Sequence, residues 1–259
     1  MRVVCQQPNY FPWLGYFEQI AACDAFVFLD DVQWIRQGRQ HRTRIPTFAS
    51  SHQEKNWLTV PVLGHGHRDL AFRELRIDGS RRWPRQHWNT LQSLYGRFPY
   101  FRNQFEPMIR PFLEKSRNFR FLIDLCESST SLFWKAFDLK ATVWHSSHLA
   151  VSGKKTERLV EICQSLEATE YYAALGSSRY LNLSMFREKS IRVSFQHFRY
   201  SAGPDPLRPS DYSVLDWLAL EPLEKIRERL GKNRGSALLA KSAEISIDGD
   251  MRPVNRLIH

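Results

Sequence analysis

Short apolar runs alternate along this chain with longer segments of helical periodicity. Residues 2–6 and 25–29 are hydrophobic runs of strand length, joined by a turn-rich loop and by a helix expected over about residues 15–22. Two later segments, 57–62 and 72–77, alternate apolar and polar side chains as half-buried antiparallel strands do. They are expected to pair as a lateral hairpin outside the central sheet. A helical block follows, in which Trp83, His87, Leu91 and Leu94 fall on one face and further helices cover 103–115 and 121–139.

Beyond that block strands at 141–145, 170–174 and 191–195 alternate with helices at 155–166 and about 181–189. Five short strands with helical crossovers predict a mainly parallel, Rossmann-like α/β sheet carrying a lateral β-hairpin and a helical insertion. Residues 201–210 are rich in proline and read as irregular. Ser213 stands three residues before Asp216 in a capping-box-like pattern, opening one helix that carries Leu215, Trp217, Leu218, Leu223 and Ile226. The domain reading is one α/β domain over 1–230, with 57–140 as hairpin plus helical insertion, and a basic tail over 231–259.

Charge narrows the partners. The 37 Lys and Arg against 27 Asp and Glu leave a net charge of +10, which attracts anions such as nucleotides, nucleic acid, acidic glycans or a membrane surface. The first residues lack a charged segment followed by a long apolar one, and no run approaches the ~20 apolar residues of a membrane span. A cytoplasmic protein is expected. Cys5, Cys23, Cys126 and Cys163 form no CxxC pair and read as buried small hydrophobes, Cys5 on a strand and Cys126 and Cys163 on helices. The run Gly64-His65-Gly66-His67 lacks an acidic or Cys ligand at matching spacing and reads as a polar hairpin loop, so no metal-ligand set is assigned.

Candidate chemistry gathers at predicted strand ends. The loop after the first strand offers Gln7, Asn9, Tyr10, Trp13, Gly15 and Tyr16, where open α/β sheets bind ligands. Tyr10 and Trp13 offer flat stacking surfaces, and the helix start at Gly15 offers free amides to an anion. Asp30 and Asp31 end the second strand; such a pair serves as a general base, as an oxygen-ligand set for Mg2+, or merely as a cap. Arg42 presents a fork for phosphate or carboxylate. His87 lies between Trp83 and Leu91 at helical spacing, either packed or acting as a helical general base, while His145 ends a strand at the same edge as Asn9 and Asp30. Gly176, Ser177 and Ser178, with Tyr180 beyond them, follow a strand and precede a helix, as a phosphate cradle or a plain N-cap does.

These residues carry a resemblance. The stretch from Gln7-Pro8-Asn9-Tyr10-Phe11-Pro12-Trp13-Leu14-Gly15-Tyr16-Phe17, then 24–33, His41-Arg42-Thr43-Arg44-Ile45, Trp57-Leu58-Thr59-Val60-Pro61, 171–180 and Ser213-Val214-Leu215-Asp216 resembles the WbqC-like family over residues 1 to about 230. The resemblance implies a bacterial protein associated with O-antigen or other surface-polysaccharide genes and described as a glycine or acyl-group transferase. It selects Arg42 over Arg44, and it places His41 where an asparagine commonly precedes the motif arginine. A weaker resemblance to nucleotidyltransferases rests on Trp13-Leu14-Gly15-Tyr16, which lacks both histidines of the HxGH motif.

The leading functional expectation is a transferase adding an activated acyl or aminoacyl group to a sugar or amine. Asp30 or Asp31 would deprotonate the amine, Arg42 and the Gly176 loop would hold the phosphates of a nucleotide-activated donor with Mg2+, and the substrate would be an anionic small molecule. Two rivals stand beside it: a noncatalytic tRNA-binding module, supported by the basic balance and 13% aromatic content, and a degenerate nucleotidyltransferase-like nucleotide-binding protein. A charged-tRNA donor reconciles the first rival with the enzyme.

Overall fold

The computed structural model describes residues 1–36, 38–47, 56–63, 70–198, 211–232 and 237–239. The chain opens with β1 (Arg2–Gln6), helix α1 (Leu14–Ala22) and β2 (Ala25–Phe28), followed by β3 (Arg42–Ile45) and β4 (Asn56–Thr59). Three helices come next, α2 (Trp83–Tyr95), α3 (Glu106–Ser116) and α4 (Leu122–Ala136). The α/β alternation then resumes with β5 (Thr142–His145), α5 (Lys155–Ser165), β6 (Glu170–Ala173), α6 (Leu183–Glu188) and β7 (Arg192–Gln196). Helices α7 (Val214–Leu220) and α8 (Leu223–Lys232) and strand β8 (Ala237–Leu239) complete the described elements.

The main sheet has the order β5-β2-β1-β6-β7-β8, with its first five strands parallel and β8 antiparallel to β7. β1, β2, β6 and β7 are largely apolar because both faces are covered, whereas β5 at the edge leaves Val143 and Trp144 exposed. On one face Val4, Phe26, Phe28 and Tyr172 join a core with Phe17 of α1 and Phe133 of α4, whose rings lie 5.6 Å apart. On the other, Val3, Cys5, Val27 and Tyr171 pack on Ile162 and Cys163 of α5 and Phe186 of α6. Each such ring or aliphatic chain contributes about 1.5–3 kcal/mol by leaving water. All four cysteines are free and buried, with Cys5 on β1, Cys126 on α4 and Cys163 on α5 as expected.

The chain leaves β1 toward β2 and β5 on one side, then crosses back to β6 and β7 on the other. The order reverses between β1 and β6, the switch point beside which open α/β sheets place ligands.

The hairpin is real, but its partner strand differs from expectation. β4 pairs antiparallel with β3, from Arg42 opposite Thr59 to Ile45 opposite Asn56. Residues 72–77 instead form a 3-10 turn, Phe72–Glu74, with single bridges from Ile77 to Val62 and from Arg76 to Phe121. Phe72, Leu75 and Ile77 are all buried, and one tight turn docked on the core mimics the alternation of a strand. The helix expected from Ser213 is two helices. Ser213 does cap α7, accepting from the Leu215 amide, but Pro222 ends the run. Gln104 staples the break, donating to the Leu218 and Glu221 carbonyls at 2.7 and 2.8 Å and accepting from the Leu223 amide at 2.9 Å. The 64–67 loop, the 201–210 segment and most of the tail lie outside the described residues.

Candidate functional site

Parallel pairing of β2 with β5 sets Phe28 opposite His145, so the next residues of both strands meet at the carboxyl edge. There Asp30, only 5% exposed, accepts from the Ser147 amide at 2.9 Å, the Ser147 hydroxyl at 2.5 Å and the Ser146 hydroxyl at 3.0 Å. Burial acts to raise its carboxyl, yet these donors hold it below the ordinary range. Asp31 shares the single Ser146 hydroxyl proton with Asp30 and pairs with Arg158 of α5. The two carboxylates therefore fasten β5 and α5 to β2. Asp30, ionised and saturated with donors, is a poor proton acceptor, and the oxygens expected to bind Mg2+ are already taken by hydroxyls, an amide and a guanidinium. Among the described residues no group of three or more His, Cys, Asp or Glu side chains is placed to hold a metal ion.

His145, beside this clasp, points Nε2 at Glu127 Oε1, 2.9 Å away on α4. A carboxylate only accepts, so in the neutral imidazole the proton sits on Nε2 and the lone pair on Nδ1, which has no partner among the described residues. Burial raises the Glu127 carboxyl, and His145 pulls it back. Glu127 also lines a groove of about 390 Å3 between α4 and the outer edge of the sheet, with Phe28, Trp134, Ser128, Ser131 and Lys135. Sequence reasoning missed Glu127. The one local signal is a lone acid among helical hydroxyls in Cys126-Glu127-Ser128-Ser129-Thr130-Ser131.

The first loop is built largely into the core. Tyr10 is fully buried, its ring edge-on to Trp83 and its hydroxyl 3.0 Å from His87 Nδ1. It has no free face for stacking. His87 donates Nε2–H to the Thr59 carbonyl at 3.2 Å, and burial pushes it down to about 4 against that bond. Buried and engaged at both ring nitrogens, it ties α2 to the first loop and to β4. Tyr16 is buried and donates to the Gln7 carbonyl at 3.1 Å, while the Gln7 side chain accepts from Gln40 at 2.6 Å. The half-buried Trp13 meets Phe198 edge-on at 5.6 Å and lies over Gly15, so that indole covers part of the expected anion-binding helix start. Between them Phe11 adopts a left-handed φ of 42°, a strained conformation for a residue with a large side chain. Three elements hold it: its amide donates to the Ser129 hydroxyl oxygen at 3.3 Å, and Thr43 and Ser213 donate to its carbonyl at 2.7 and 3.0 Å. Asn9 is half-buried beside it, with no side-chain hydrogen bond among the described residues.

Arg42 stacks on Trp57, 4.5 Å from the ring centroid, and donates Nε–H to the Gly38 carbonyl. Arg44, two residues on and so on the same face of β3, is buried against Asp211 at 2.5 Å, which also takes Arg39. His41 is buried against Trp34. Gly176, Ser177 and Ser178 sit in a 3-10 turn after β6, across β1 from the Asp30 corner; the Ser177 hydroxyl donates to the Ala174 carbonyl at 2.6 Å, and Tyr180 is exposed. Asp30, Asp31 and His145 are thus brought together. The groove beside them is lined by none of the three, nor by Asn9 or Ser177, and meets them through Glu127, the partner of His145.

No helix of the described residues is long and apolar enough to cross a membrane. No solved structure matches the chain. The chain is similar to an uncharacterized protein, Rv1507c, of Mycobacterium tuberculosis (strain ATCC 25618 / H37Rv), with 32% identity over 235 residues that cover 88% of this chain and 92% of the relative. Residues 7–228 match the WbqC-like protein family, and the chain belongs to it.

Proposed function

We propose that the chain is a transferase of bacterial surface-polysaccharide assembly, moving an activated acyl or aminoacyl group onto a hydroxyl or amine, with His145 as the base. The observation that supports this reading is the 2.9 Å contact of His145 Nε2 with Glu127 Oε1, which leaves Nδ1 open. Glu127 holds the tautomer and stabilises the imidazolium that forms, as a carboxylate behind a catalytic imidazole does. The acceptor gives its proton to Nδ1 as its oxygen or nitrogen bonds to the activated carbonyl. The bond to the leaving group then breaks, and that group takes the proton from the imidazolium. Lys135, which makes no ion pair among the described residues, and the Ser128 and Ser131 side chains line the groove where an anionic part of the substrate would lie.

The test starts from the protein as purified, with any retained ligand identified by mass spectrometry and its acyl or aminoacyl derivative supplied as donor. His145→Gln and Glu127→Gln are expected to lower kcat by about 10^2–10^4 without changing the melting temperature. Full turnover in His145→Gln overturns the reading. The exposed arginines Arg81, Arg82 and Arg85 at the start of α2 favour a second reading in which the donor is a charged tRNA. It is checked by whether RNA affinity falls steeply with salt while nucleotide affinity does not.

A further inference from the structure

A second cavity, of about 130 Å3, opens between the segment that follows β2 and the hairpin. Val60, Pro61 and Val62 form its apolar side, and Trp34, His41, Arg36 and Thr59 supply its polar groups. Trp34 and His41 are each 8% exposed, and their rings meet edge-on at 5.6 Å. Trp34 Nε1 and His41 Nδ1 are both buried without a hydrogen-bond partner. A buried polar atom left unpaired loses the hydrogen bonds water gave it, and native interiors leave few of them. Here two occur on neighbouring rings that line one cavity.

The charge of the surroundings identifies what would satisfy them. Among the described residues no carboxylate lines the cavity and the exposed Arg36 makes no ion pair, and Arg42 follows His41 directly. Burial first, then Arg42 and Arg36, push His41 down to about 4, so the imidazole is neutral near pH 7 and in its Nδ1–H tautomer offers one N–H at the unpartnered atom. The cavity thus brings together an indole N–H, an imidazole N–H and a guanidinium beside an apolar wall.

We propose that this cavity is a binding subsite for a small carboxylate carried on a short apolar stem, with Trp34 and His41 donating to the carboxylate oxygens and Arg36 supplying the countercharge. Two neutral donors and one cation suit a monoanion better than a phosphate dianion, and Val60-Pro61-Val62 matches the stem. The subsite does not depend on the role assigned to His145.

The test uses the full chain and n-butyrate as probe, followed through the Trp34 indole N–H signal in a 15N–1H spectrum, assigned by its loss in Trp34→Phe. A saturable shift with Kd of about 1–10 mM is expected, the range open to so few non-hydrogen atoms. n-Butylammonium should give none. His41→Leu should weaken butyrate at least tenfold, and His145→Gln should leave the response unchanged. Trp34→Phe removes an unpartnered donor while keeping a ring, and His41→Gln serves if His41→Leu melts early. The proposal is overturned by no saturable response to butyrate, by an equal response in the His41 variants, or by tighter binding of inorganic phosphate than of butyrate.

Discussion

The indole of Trp13 lies so close over Gly15 that a β-carbon at position 15 would stand 2.1 Å from a ring carbon. Neither partner can give way cheaply. Trp13 is braced edge-on by Phe198 and bridged to Ser213, and the Gly15 carbonyl accepts from Gln196 at 2.7 Å. Gly15→Ala is therefore expected to destabilise by about 1–3 kcal/mol, as overpacking does. A melting curve that matches the parent would show that the ring is free to move.

Tyr10→Phe isolates a different kind of interaction. The ring remains, but His87 Nδ1 loses its donor in a fully buried setting. The expected cost is about 1–3 kcal/mol, the penalty of an unsatisfied buried acceptor. Turnover per folded molecule should be unchanged, because His87 serves as a tie between α2, the first loop and Thr59. A large fall in kcat with an unaltered melting temperature would return His87 to chemistry.

Much of this architecture was legible along the chain, because strands covered on both faces must be apolar and helices around a core must repeat near 3.6 residues. The five parallel strands and α2, α4 and α5 were readable on that basis. β3 was not, because Arg42-Thr43-Arg44-Ile45 looks too polar for a buried strand until Asp211, 167 residues away from Arg44, neutralises it. Asp30 and His145 were legible as strand-end residues. Glu127 was invisible as a partner, since only the register of β5 on β2 and the packing of α4 bring it to His145.

Stability should rise with pH across the acid range. Glu18 is buried beneath the sheet, accepting from Tyr172 at 3.0 Å and Gln196 at 2.5 Å, and burial lifts its carboxyl to about 7. The unfolded chain releases that proton near 4.3. Glu18 therefore favours folding at low pH, and its contribution is lost as pH rises toward 7. His41 and His87 behave oppositely: burial pushes both to about 4, so their contribution is complete above the unfolded value near 6.5 and is lost as pH falls through 4. Two groups outweigh one, so the melting temperature should rise from about pH 4 to about pH 7 and level off above it. Glu18→Gln should steepen that rise, because the opposing carboxyl is gone. A parent profile flat from about pH 4 to 7 would contradict it.

Asp30→Asn separates a clasp from a base. An asparagine in the same place offers one acceptor oxygen and turns an NH2 group toward either the Ser147 amide and Ser146 hydroxyl or the Ser147 hydroxyl, so donors that converge on the carboxylate can no longer all be met as they stand. The expected loss is about 1–3 kcal/mol of stability. Activity should fall with it, because the strand end that carries His145 is what Asp30 holds. Ser147→Ala should reproduce the pattern in weaker form, and His145→Gln should show the activity loss alone. Melting curves and turnover measured on the same three variants decide the matter. If Asp30→Asn melts with the parent yet is inactive, the carboxylate acts on the substrate itself, and His145 is no longer the base.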